Sequence, residues 1–511
     1  MRALLFLTLL ACAAPPPSPP SGAALPAPAA ATRSDMAAGS TIAGHQDRLL
    51  YVPRSDLPGL EERIPALRRH GVSTVYLGDL TGTGPDVADP AVVAPPLDEA
   101  SLQRLVTSIR AAGMDAIVDL ELNHVASDSP LVDQYPDWFH AYGPIRDFED
   151  VNQRQFFDIA GTRDFAQERP QVSAFLIGAA SSFFDRAPVS GLGFKHVAHA
   201  PMAFWAELVW ASGNSVDARL RTIGRYRTDE PKQLAFALRH GRFDEAFDRP
   251  FGRAAFETFC RGAPNERLAA VLSADYRYSK PESLITYVPD PESPEGCEER
   301  VLKAALTFQH GVRGRPLLLE SAFTPGQENW LLRLHALRRD HPVFHSGESQ
   351  LVAVGRAGIL LLRQGRSEIA AVLYNAGEPR PLSVPLPMGV PASSVLKTLG
   401  MEIDSGRMTV PAVSTGIALF RRSGPLAWLD RDPRRVQIRV ADAPPGATLS
   451  GAHPALGDGR AWSADRVIDV ELRPGTALEL ALKSGTTTRR RYLFVDYQRG
   501  PAEFTVSWSG P

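Results

Sequence analysis

The residues most able to do chemistry lie close together in Asp119-Leu120-Glu121-Leu122-Asn123-His124. Met114 to Leu120 reads as a strand, and strand alternation sets Asp119, Glu121 and Asn123 on one face. Two carboxylates, a carboxamide and an imidazole within six positions can move protons or offer oxygen ligands to a cation. Further carboxylates stand at Asp290 and Glu292, either of which could pair with Glu121. Lys195 closes the strand-like run Val189 to Lys195, and Arg225 follows Thr222-Ile223-Gly224. Cations on inward-facing strand ends need acidic partners once buried.

These residues need a scaffold of alternating elements. Val72 to Leu77 reads as a strand, Leu102 to Ala112 as a helix, Phe175 to Phe184 as a helix and Leu317 to Leu319 as a buried strand. A helix over 328–339 follows. Alternating β and α over about 290 residues is the pattern of an α/β fold, and that length suits an eight-stranded (β/α)8 TIM barrel. The barrel is placed at 45–341, with a small loop domain after strand three at about 125–169. Short strands such as Gly358 to Arg363 and Ile369 to Tyr374 then mark an all-β sandwich over 342–423, and a second over 424–511.

The whole chain has 511 residues, with 55 Lys+Arg against 57 Asp+Glu. A net charge of −2 without a basic tract argues against a nucleic-acid partner. An apolar fraction of 44% supports a large core, and no transmembrane stretch follows the N-terminus. The 44 prolines exceed the usual ~5%, partly because residues 13–44 form a Pro/Ala-rich tether. Ahead of it, Met1-Arg2 and an apolar run to Leu10 make an export signal. Of three cysteines, Cys260 and Cys297 are either a disulfide or two buried thiols, a choice that sequence leaves open.

Several segments carry a resemblance. Asp119 to His124 matches the Asp-x-x-x-Asn-His pattern that ends the third barrel strand in the α-amylase family, glycoside hydrolase family 13. Trp138 to Asp147, Asp164 to Val172, His310 to Leu319 and Leu331 to Pro342 are similar to later family segments, in the family's order. The resemblance covers roughly residues 48–423. It implies a retaining mechanism on α-linked glucans, with an Asp nucleophile after strand four, a Glu acid/base after strand five and a second Asp after strand seven. Leu9-Leu10-Ala11-Cys12 resembles a bacterial lipobox, which implies lipidation at Cys12, an exported membrane-anchored lipoprotein and membrane contact through the lipid alone; an ordinary signal peptide is the alternative.

Set against the family pattern, Val189 to His199 aligns without a gap. Gly191 and His199 are kept, but the arginine position is Gly193 and the nucleophile position is Lys195. In the fifth strand Gly224 is kept and the acid/base position is Arg225. After the seventh strand, Asp290, Pro291 and Glu292 stand where the family has Asn, His and Asp. Glu207 follows Lys195 too closely to be the acid/base and reads as a helix-surface residue. A fixed positive charge ~4 Å from an oxocarbenium-like centre costs on the order of 4 kcal/mol at an effective dielectric of 20. Family-type hydrolysis is therefore expected to fail. The resemblance also places Lys195 and Arg225 in the barrel mouth beside Asp119, Glu121, Asp290 and Glu292, which implies an ion-pair network plugging the old site. The alternative is an active hydrolase or transferase with relocated carboxylates: Glu121 with Asp290 or Glu292, some 5–9 Å apart across an open cleft.

No cofactor is required by this reading. The resemblance leaves calcium open, through Asn123, Asp164 or Asp128, and the His199 carbonyl. It also implies sugar contacts from Asp119, His124 and His199, although His124 reads equally as a packed rim residue. In the last unit, Gly451-Ala452-His453-Pro454-Ala455-Leu456-Gly457 resembles a turn of starch-binding β-sandwiches, whose stacking tryptophan is replaced by Gly459. Trp462 is the candidate substitute; a purely structural β unit is the alternative. The partner implied is an α-glucan, starch or maltooligosaccharide, bound without turnover. An interaction scaffold lacking sugar affinity is the further alternative. Oligomeric state is not legible.

Overall fold

A computed structural model describes residues 48–509 apart from 83–85, 149, 215–219, 292–295, 325, 378–379, 388–389, 425–431 and 498–500. Cys12 and Glu292 lie outside the described residues. Eight parallel strands close a barrel: Arg48–Val52, Val72–Leu77, Asp115–Leu120, Gly191–Phe194, Arg221–Gly224, Glu245–Phe247, Leu284–Thr286 and Arg315–Leu319. Each neighbours the next in sequence, and the first pairs with the eighth at Leu49–Leu317. No helix among the described residues is long and apolar enough to cross a membrane.

Alternate residues of these strands fill the barrel interior, as the two-residue repeat requires. Leu49, Tyr51, Tyr76, Ile117, Ile223, Phe247, Ile285 and Leu317 pack there as one apolar cluster. One register position nearer the N-terminal ends, Glu245 lies 3.4 Å from both Arg221 and Arg315. At the C-terminal ends the same inward phase delivers Asp119, Lys195 and Arg225. Gly193 belongs to this phase because the interior has no room for more: a Cβ there would sit 1.9 Å from the Tyr76 hydroxyl.

Helices cover the outside. Glu99–Ala111 begins at Asp98, whose side chain accepts from the Ser101 N–H at 2.8 Å. This is an N-cap that satisfies an otherwise orphaned donor. The helix Glu328–Asp340 is fastened to the eighth-strand segment through Arg338, which donates to the carbonyls of His310 and Val312 at 2.8 and 2.9 Å. A bridge joins Cys260 to Cys297, with the Cα atoms 5.3 Å apart. It ties the end of helix Arg249–Arg261 to the segment entering helix Glu299–Gly311.

After strand three the chain leaves the barrel in a small antiparallel pair, His124–Ala126 with Thr162–Asp164. Stacked Phe139 and Phe165, 4.8 Å apart, pack beneath it. Beyond the barrel come antiparallel sheets of five and three strands between 348 and 421, then sheets of three and four strands between 434 and 507. The final three-stranded sheet departs from the all-antiparallel pattern, since Arg434–Ala441 runs parallel to Ala502–Ser507.

Candidate functional site

The C-terminal mouth of the barrel holds a packed group of charges. Arg225 and Lys195, each 5% exposed, project inward from the ends of strands five and four. Arg225 Nη1 bonds Asp119 Oδ2, and Lys195 Nζ lies 2.5 Å from Asp79 Oδ1. Arg225 also comes within 3.9 Å of Asp79, which joins the two pairs. Tyr76 donates its hydroxyl to Asp119 Oδ1 at 2.7 Å, so both oxygens of this buried carboxylate are engaged. The Arg225 guanidinium lies over the rings of Tyr51 and Phe247, 5.6 Å from each centroid. Burial lifts the Asp119 carboxyl above its ordinary range, and Arg225 and Lys195 pull against that rise. A buried charge is tolerable when its partners and hydrogen bonds are in place, and here they are.

Little space remains. The cleft lined by Arg225, Phe247, Arg249 and Asp290 has a volume of about 20 Å³. That is room for about one water, whereas small-molecule sites usually span about 300–1,000 Å³. Asp290 lies on the cleft wall and pairs with Arg249 at 3.3 Å.

Glu121 forms a second group beside the first. It is fully buried, and neither oxygen faces a cleft. Oε1 accepts from the Asn123 backbone N–H at 2.9 Å and lies 3.7 Å from His124 Nδ1. Oε2 bonds His196 Nδ1. Burial would raise this carboxyl, but His124, His196 and Lys195 overcome that and hold it well below the usual carboxylate range. His199 packs edge-on against His196 with ring centroids 5.5 Å apart. Its own burial pushes it down to about 3, so it is a neutral imidazole.

No protein-family model matches the chain. One stretch of 131 residues is 28% identical to an alpha-amylase of Streptomyces lividans, covering 24% of this chain and 14% of that protein. The structure superposes on an alpha-amylase of Geobacillus thermoleovorans complexed with acarbose, with a TM-score of 0.65. The two are 19% identical, and the match covers 74% of this chain and 99% of the other. It also superposes on the gamma-CGTase of alkalophilic Bacillus clarkii, with a TM-score of 0.63 and 13% identity over 91% and 98% of the two chains. The fold is that of the α-amylases.

Within this α-amylase fold the expected residues are dispersed. Asn123 and Asp164 are both buried where the loop domain joins the barrel, Asp164 standing opposite His124 in the antiparallel pair. However, Asp164 Oδ2 is taken by His140 Nδ1 at 2.8 Å, and Gln167 lies 3.4 Å from Asn123 Oδ1. Burial, with Asp158 nearby, raises the Asp164 carboxyl well above its ordinary range, which favours its uncharged form. One such carboxyl and one carboxamide fall short of the six to eight oxygens calcium takes. Among the described residues the group with metal-ligand spacing is Glu121, His124 and His196, whose donor atoms lie within 4.8 Å of one another. In the last unit Trp462 is half-buried. Its Nε1 donates to the Leu456 carbonyl at 3.1 Å, and Arg460 lies over the ring at 4.8 Å. Glu207 is exposed on helix Met202–Asn214, as expected.

Two residues that sequence reasoning missed complete the site. Asp79, which the expected network did not include, pairs with Lys195, and His196, likewise not expected there, is a partner of Glu121. Both have left-handed backbones, with φ of 55° and 48°. Each stands two residues past the end of a barrel strand, where alternation no longer states which way a side chain points. An aspartate after Gly78 was the available signal for Asp79, since Asp tolerates this conformation better than most residues.

Proposed function

We propose that this chain is a non-catalytic, glucan-binding protein of the α-amylase fold, exported and held to a membrane through lipidated Cys12. The observation that carries the reading is the pair of cations at the barrel mouth. Aligned by resemblance, Lys195 occupies the nucleophile position and Arg225 the acid/base position. Both project inward, and each is committed to a carboxylate. Neither group can attack an anomeric carbon as a carboxylate does, and neither can protonate a glycosidic oxygen at neutral pH. Glu121 is buried and bonded on both oxygens, which argues against its service as a relocated nucleophile.

Support for an α-glucan ligand comes from the Asp119 to His124 motif, from the starch-binding-like turn before Trp462 and from the amylase neighbours, one of which is complexed with acarbose. Because the mouth is filled, glucan affinity is assigned to the outer surface, with Trp462 as its aromatic element.

The test is reducing-sugar release from soluble starch by the purified protein, with affinity electrophoresis in starch-containing gels alongside. The expected result is no release above a heat-inactivated control and a mobility retarded by starch. Turnover that disappears in a Glu121→Gln variant would establish the active-enzyme alternative. Neither turnover nor retardation would leave the scaffold reading.

A further inference from the structure

Glu121, His124 and His196 combine one carboxylate with two imidazoles, and their ligand atoms all lie within 4.8 Å of one another. This is a nitrogen-rich set, unlike the all-oxygen shell that calcium or magnesium takes. Zinc held tetrahedrally at about 2.0–2.2 Å from N and O donors places those donors roughly 3.3 Å apart. The carboxylate already meets the Nδ1 atoms of the two rings at 2.5 and 3.7 Å. The set is therefore close to a ligating arrangement without a change of backbone.

Three further observations point the same way. Glu121 lies fully buried, with the two imidazoles as its nearest ring partners: His196 Nδ1 on Oε2 and His124 Nδ1 3.7 Å from Oε1. A cation bound at this point would supply compensating charge directly. His196 is held in the left-handed region at φ 48°, unusual for a histidine, and this turn directs its ring to Glu121. Beside it His199 is 4% exposed, and its Nδ1 is buried with no hydrogen-bond partner. The His196 side chain is 18% exposed, which gives an ion a route in from solvent.

We infer that Glu121, His124 and His196 form a binding site for a zinc-like first-row transition cation, separate from the Asn123/Asp164 position of the calcium expectation. Three protein donors leave one tetrahedral position for water or a fourth donor. The cation cross-links the end of strand three to the turn after strand four, so its role is to brace the filled mouth.

The experiment uses the full-length chain without a polyhistidine tag, stripped with chelator. Zn²⁺ is titrated by equilibrium dialysis with elemental analysis, and Co²⁺ is titrated by visible absorption. The expected result is about one Zn²⁺ per chain, a Co²⁺ spectrum of four-coordinate intensity and a higher melting temperature with Zn²⁺ present. Loss of an outer partner alone typically costs 10–100-fold in metal affinity, so His196→Asn should lose at least about 100-fold. Asn tolerates the left-handed backbone, and the metal-free melting temperature reports whether that variant is folded. His124→Gln provides a second, independent removal. No retained Zn²⁺ in the wild type, wild-type affinity in both variants, or preferential binding of Ca²⁺ would each overturn the inference.

Discussion

At the residue scale the barrel mouth is governed by electrostatic pairing within a volume that excludes solvent. Asp119 is fully buried, and its charge is answered by Arg225 on one oxygen and Tyr76 on the other. Replacing a member of such a pair strands its partner, at a typical cost of about 3–5 kcal/mol, which exceeds the net contribution of the pair itself. Arg225→Met is therefore expected to destabilise the protein by that amount, read from the urea unfolding midpoint at constant m-value. In the double variant Arg225→Met/Asp119→Leu the stranded carboxylate is gone, and part of the loss should return. Recovery is incomplete because the Tyr76 hydroxyl then lacks its acceptor, a penalty of about 1–3 kcal/mol. A single-variant cost below about 1 kcal/mol would show that pairing does not hold the mouth closed.

At the scale of elements, helix Glu328–Asp340 lies over the barrel with His335 turned toward Gly71, where an added Cβ would come within 2.8 Å of the ring. Burial, with Arg48, Arg339 and Arg338 nearby, lowers His335 to about 4. The unfolded chain has this group near its ordinary value of ~6.5. Between those two values the unfolded state binds the extra proton, so stability falls as pH falls from about 6.5 to about 4. Buried Asp119 and Asp164 are shifted upward and act with the opposite sign in acid, so the His335 contribution is isolated by difference. The stability gap between wild type and His335→Gln should be flat above pH ~7 and shrink by up to about 1.4 kcal/mol per pH unit below ~6.5. A gap independent of pH would refute the shift. The same scale shows how much was legible in sequence. Short apolar runs marked the strands at 72–77 and 358–363, because nearly every side chain in them is buried. Regularity also carried Lys195 and Arg225 to the mouth. It failed two residues beyond the strand ends: left-handed turns at Asp79 and His196 point these side chains where no period predicts. Partner identity was thus lost at the points where the backbone stops repeating, and the Cys260–Cys297 bridge was undecidable until the helices were placed.

At the scale of the molecule, apolar packing divides the chain unevenly. One continuous cluster runs from barrel residues such as Phe308 and Leu334 into Ile359, Val372 and Leu419 of the five-stranded sheet. The last β unit has a cluster of its own, built on Val436, Leu449, Leu480 and Val495. Its junction with the rest mixes polar and apolar contacts: Asp458 receives Arg277 at 2.5 Å and Lys232 at 3.1 Å, Ser273 accepts the Ala477 N–H at 2.9 Å, and Ala477 and Phe494 pack into the first cluster. Ion pairs that keep a solvent-facing partner contribute about 0–1 kcal/mol each, and the apolar contact through Ala477 and Phe494 is small beside either core, too little to force the two to melt together. Scanning calorimetry should therefore resolve two transitions. The smaller, for strands spanning 434–507, should carry about 50 kcal/mol at the usual ~0.7 kcal/mol per residue near 60 °C. Asp458→Ala removes both ion pairs at once and should move only the smaller transition, downward by a few degrees, while the barrel and its five-stranded sheet melt unchanged. A single transition whose calorimetric and van't Hoff enthalpies agree would mean instead that the junction couples the two cores, and that a ligand on the last β unit acts on the stability of the barrel as well.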